Sequence, residues 1–228
     1  MALVSSLVMA WQNRLHAQSQ EPQSQKSQQI QTEGRNPEEE KILLGRMLFF
    51  DVNLSKNRTQ SCATCHDPNR AFSDSRDNAG KGMVSLGDDG SSFGNRNTPT
   101  AMYARYSPDF HFNEKTGQYT GGQFLDGRAR DLAEQSGQPP LNPVEMNMPS
   151  VGSIVERLKQ NEYYQETFRA LYGDTVWSTD EAAYDAMMQS IAAFERTEEF
   201  APFNSKYDKY LRGEYELTVL EDLGRTLF

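Results

Sequence analysis

Apolar side chains recur at helical spacing in separated stretches of the chain, and nowhere do apolar and polar residues alternate as a strand requires. Leu43, Leu44, Met47, Leu48 and Phe50 give one apolar face to a helix that starts at Asn36-Pro37-Glu38-Glu39-Glu40. There an N-cap, a first-turn proline and acids near the positive end of the dipole coincide. Helical signals return over residues 128–136, 153–160 and 162–172, the last closed by Gly173. Ser178-Thr179-Asp180-Glu181 reads as a capping box ahead of a longer helix carrying Ala182, Ala186, Ile191 and Phe194, and residues 217–228 are helical again. The expectation is an all-α body. Phe49-Phe50, Tyr163-Tyr164 and Phe194 read as its core, while Glu38 to Glu40 and Glu198-Glu199 read as solvated helix ends.

Three segments follow from the pattern. Residues 1–35 hold a signal-like apolar stretch, too short to span a bilayer, with a candidate cleavage site at Leu15-His16-Ala17. They continue into a Gln- and Ser-rich leader without enough apolar surface to recover the entropy of ordering. Residues 36–215 form the folded domain, and residues 216–228 start a connection that ends on the apolar pair Leu227-Phe228, as a chain cut short would. Within the domain, residues 67–122 are rich in Gly, Asn, Asp and Ser and show no sustained period. So long an irregular stretch is expected to wrap a ligand that supplies the missing core.

Charge and cysteine usage narrow the chemistry. The net charge of -9, with basic residues dispersed among carboxylates, argues against a nucleic-acid surface. The chain has two cysteines, which excludes a disulfide scaffold, and both lie in Cys62-Ala63-Thr64-Cys65-His66. Cysteines three apart on a helical turn face one side, with the histidine beside them, which suits one flat ligand. Thioethers from Cys62 and Cys65 would hold a haem c while His66 ligates its iron. A redox dithiol would follow a strand in an α/β pattern, and a structural zinc site would want four ligands where His16 and His111 are the remaining nitrogen donors. Covalent haem implies assembly outside the cytoplasm, so export to the periplasm is expected.

The run Leu44-Gly45-Arg46-Met47-Leu48-Phe49-Phe50-Asp51, then Leu54-Ser55, then residues 61–68 resembles the bacterial dihaem cytochrome c peroxidase family. Arg96-Asn97-Thr98-Pro99-Thr100, Asp126-Gly127-Arg128-Ala129, Asn142-Pro143-Val144-Glu145-Met146 and Ala192-Ala193-Phe194-Glu195-Arg196-Thr197 follow in the family's order. Ordered blocks are far more specific than the pentapeptide alone. The resemblance covers residues 37–228 and is to the family's N-terminal half, which carries the peroxidatic haem. It implies a cytochrome c-like helical domain that reduces hydrogen peroxide to water with electrons from a small donor such as a cytochrome c or cupredoxin. A homodimer is a candidate assembly. The resemblance also implies a second haem motif beyond residue 228.

Some assignments come from the resemblance alone. Glu145 matches the family's distal acid, Gln135 and Pro139 match its pocket neighbours, and Asn97 matches a calcium ligand of some members. A single amide oxygen cannot by itself make a site of about six to eight oxygens. Two departures stand out. The loop between His66 and Asn97 lacks the histidine that shuts the iron in many members; its soft donor is Met83 and the next histidine is His111. A five-coordinate or water-bound ferric iron is therefore expected. Leu125 stands where many members place a tryptophan between the haems, which weakens a role in tryptophan oxidation. The alternatives are an electron carrier with Met83, Met146 or Met148 as second axial ligand, and a dihaem oxidase that modifies a partner protein's side chain.

Overall fold

The structure is a computed structural model that describes residues 36–77 and 79–228, so the signal-like segment and the leader lie outside the described residues. Helix α1 (Pro37–Phe49) carries Glu38, Glu39 and Glu40 in its first turn and Arg46 in its last, complementing its dipole at both ends. Its buried face is Leu44, Gly45, Leu48 and Phe49. Phe49, rather than the expected Phe50, completes that face; Phe50 stays 38% exposed. Glu40 departs from the expected solvated end: it is buried, and Tyr163 Oη donates to its Oε1 at 2.8 Å.

After α1 the chain makes the single turn α2 (Cys62–Cys65), whose first residues are tied by Ser61 N donating to Thr64 Oγ1 at 2.9 Å. Residues 67–122 are mostly irregular, as the composition implies, with isolated bridges pairing Asp67 with Ser73 and Leu86 with Phe93. The absence of strands is corrected at one point: β1 (His111–Asn113) pairs antiparallel with β2 (Gln118–Thr120). Almost all of this hairpin is exposed, so it has no buried face for alternation to mark, and Gly117 at φ +68° closes its turn.

The remaining helices are α3 (Leu132–Ser136), α4 (Val151–Leu158), α5 (Glu162–Tyr172), α6 (Asp180–Glu195), α7 (Lys206–Leu211) and α8 (Val219–Leu227). Helix α5 has the expected bounds, with Asn161 as N-cap and Gly173 closing it at φ +86°. Helix α3 starts at Leu132 instead of residue 128 because Asp131 takes the cap, its side chain accepting from Glu134 N at 2.9 Å. Thr179 alone caps α6, accepting from Ala182 N at 3.1 Å, in place of the four-residue box.

Helix α6 is the spine, packed against α1, α3 and α4. It meets α1 at Gly45, where a Cβ would lie 1.8 Å from the Ser190 carbonyl oxygen, so no other residue permits that approach. Around this seam Phe49 stands edge-on to Phe72, Phe194 and Phe200, with centroids 6.2, 5.4 and 5.6 Å away. Each such pair adds about 0.5–1.5 kcal/mol beyond area burial. Among the described residues no helix is long and apolar enough to cross a membrane.

Candidate haem site

A cavity of about 510 Å³ opens between α2, α3, α6 and the irregular region. That volume lies within the range of pockets that hold cofactors. Cys62, Cys65 and His66 line it, and so do Gln135, Pro139, Glu145 and Asn97. Residues far apart in sequence thus meet in one space. The irregular region supplies a wall, contributing Ser85 and the run from Gly94 to Ala101.

The donors fit a covalently tethered haem. Both thiols are free, and burial pushes each of them up, Cys62 most. A raised thiol pKa is the opposite of the lowered one that activates the cysteine of a dithiol redox centre. Arg76 opposes the shift at Cys65, its Nη2 donating to Sγ at 3.3 Å while the same guanidinium is held by Asp74 at 2.6 Å. His66 is half-buried, and desolvation lowers its pKa, favouring the neutral ring. Its Nδ1 lies 3.0 Å from the Phe72 carbonyl oxygen. A carbonyl can only accept, so Nδ1 carries the proton and Nε2 keeps the lone pair a metal needs. Among the described residues no group of three or more His, Cys, Asp or Glu forms a separate metal site.

Glu145 is partly buried, and burial pushes its carboxyl above the usual glutamate range against the pull of Arg128 and a hydrogen bond from Asn142. Asn97 is less committed: its Nδ2 donates to Met83 O at 3.1 Å on an exposed loop. Met83 is 64% exposed, and His111 is exposed on β1 with Nδ1 2.8 Å from Asp109 O; neither lines the cavity. Met146 does line it, while Met148 packs into the core. Leu125 sits at the rim, 68% exposed.

Sequence reasoning missed Glu195, at the C-terminal end of α6. It is buried, lines the cavity, and its Oε2 has no hydrogen-bond partner. Burial pushes its pKa up to about 8, with Arg196 opposing. The folded state therefore binds a proton that the unfolded state has released, so stability falls as pH rises from the ordinary glutamate range to about 8. Glu195→Gln should flatten that decline and be the more stable protein at the alkaline end. Urea melts across the interval check it, and parallel pH slopes for the two proteins would contradict it.

Helices wrapped around a loop-walled cavity, with paired thiols and an imidazole beside them inside it, are the arrangement of a c-type haem domain. The sequence profile of the di-haem cytochrome c peroxidases matches residues 39–216, and the chain belongs to that family. It is 52% identical over 185 residues to the methylamine utilization protein MauG of Paracoccus denitrificans, covering 81% of this chain and 48% of the relative. It is 32% identical to the cytochrome c peroxidase Ccp of Escherichia coli, covering 83% of this chain and 35% of the relative. The crystal structure of the diheme peroxidase BthA from Burkholderia thailandensis superposes with a TM-score of 0.73 at 34% identity, over 78% of this chain and 43% of that one. A MauG-like protein associated with microbial copper homeostasis superposes with a TM-score of 0.64 at 31% identity, over 83% of this chain and 48% of that one. The chain thus spans less than half the length of each of these relatives.

Proposed function

We propose that this chain is the haem domain at which hydrogen peroxide is reduced to water, with electrons from a small redox protein such as a cytochrome c or cupredoxin. The observation that carries the proposal is the meeting of Glu145 with Cys62, Cys65 and His66 in one cavity. Held by those three residues, haem c supplies a redox-active iron. Glu145 takes the proton from one peroxide oxygen and returns it to the other, so that water can leave. Gln135, beside it in the cavity, offers an amide that donates and accepts at once and so orients the peroxide. Arg128 holds positive charge near the carboxyl and favours its ionised, proton-accepting form.

His66 is the one histidine among the described residues that lines the cavity. The cavity therefore offers no second imidazole to close an iron held by His66, and a haem bound there would be open to peroxide without prior reduction. Ferric resonance Raman spectra and peroxide-dependent oxidation of a reduced cytochrome c test this together. A six-coordinate low-spin iron indifferent to peroxide would establish the electron-carrier reading, with Met146 as the candidate second ligand.

A second reading, oxidation of a partner protein's side chain, draws support from the 52% identity to MauG. Leu125 counts against it, because leucine at the rim has no accessible redox state to relay an electron. Assembly in the periplasm remains part of the proposal through the covalent haem motif, and a homodimer and a calcium site to which Asn97 gives its amide oxygen remain parts of it that rest on the family alone.

A further inference from the structure

A second, more open recess of about 330 Å³ shares a wall with the haem cavity. Gly137, Gln138 and Leu141 belong to the recess alone, whereas Phe124, Arg128, Asn142 and Glu145 line both spaces. The partition is built, not incidental. The Arg128 guanidinium lies over the Phe124 ring, 3.5 Å from its centroid, and donates to Asp126 Oδ1 at 2.9 Å. Asp126 is gripped from the other side by Arg96 at 2.8 Å. Phe124 holds φ at +64°, a conformation that costs a non-glycine residue energy and persists only when its surroundings fix it.

The floor is equally fixed. Tyr184 of α6 donates to the Gly137 carbonyl at 2.5 Å, and a Cβ on Gly137 would lie 2.2 Å from Met188 Sδ. Gln138 N donates to Gln135 O at 3.0 Å, while its half-buried side chain lines the recess. Glu145 borders both spaces, so with a flat group in the main cavity the recess still opens onto it.

We propose that this recess is the antechamber through which small uncharged hydrogen-bonding molecules, hydrogen peroxide and water among them, reach the iron beside Glu145. Arg128 disfavours cations there and Glu145 disfavours anions, so neutral molecules pass most easily. The route rests on the haem reading above and on the peroxidase reading only for the identity of its passenger. Cyanide, which travels as neutral hydrogen cyanide near pH 7 and binds ferric haem, reports the route without any turnover.

In stopped-flow measurements on the haem-loaded protein, Gln138→Trp and Gln138→Arg, which fill the recess, should slow cyanide association and dissociation together by about tenfold, leaving Kd unchanged. Gln138→Ala, which widens it, should bind cyanide at least as fast as the parent. Unaltered rates in both filled variants, slower binding in Gln138→Ala, or a change in Kd carried by dissociation alone would overturn the proposal. Slowed cyanide binding in a protein that never turns over peroxide would uphold the route and remove the peroxidase reading.

Discussion

Replacing Glu145 with glutamine lowers peroxide turnover by about a thousandfold while the haem content and the ferric spectrum stay as they are. Glutamine keeps the shape of the side chain and its reach to Asn142, and it removes the ability to accept and return a proton. The pH profile gives a second readout. On the proposed reading Glu145 must be ionised to take the proton, so turnover is expected to fall as pH drops through its pKa. Burial has raised that pKa, so the acidic limb lies above the usual glutamate range. In Glu145→Gln the limb disappears along with the rate. A variant retaining its rate to within about twofold would show that Glu145 takes no part in the step, however well it lines the cavity.

The parts of this site that could be read from the sequence are those whose function depends on local geometry. Cys62, Cys65 and His66 sit on one turn, so their spacing alone placed them together. Glu145 and Gln135 stand on separate segments, and no periodicity relates them to His66; only the order of family blocks did. Glu195 stood inside a block of the family's order, but nothing in its local pattern marked it as buried in the cavity. An acid at the C-terminal end of a helix opposes the dipole and reads as a solvated end, and its burial here comes from the way α6 runs into the cavity wall. Arg76 was equally silent, because its contact with Cys65 depends on how an irregular loop returns on itself. The core shows the same division. Capped helices such as α5 were legible to the residue, whereas the choice of Phe49 over Phe50 depended on where α6 lies, which no local pattern contains.

Phe49→Ala should destabilise the domain by about 3–5 kcal/mol, since the truncated side chain leaves a hole in a fully buried aromatic cluster. For a chain of this size that lowers Tm by roughly 10 °C. The effect should not stop at stability. Phe49 packs on Phe72, whose ring stacks on Phe200 with centroids 3.9 Å apart, and whose carbonyl fixes the His66 tautomer. If Phe72 relaxes into the hole, the carbonyl moves and the imidazole loses the partner that leaves Nε2 free for iron. The expected signature is therefore a weakened iron–histidine stretch in the ferrous resonance Raman spectrum accompanying the lower Tm, with the covalent haem retained. Ile154→Ala offers the contrast: it opens a hole in the same buried core, but Ile154 has no ring in the Phe49–Phe72–Phe200 stack. It should lower Tm and leave the stretch where it was. Were both variants to shift the stretch equally, the ring stack would have no special hold on the axial ligand, and stability alone would explain the result.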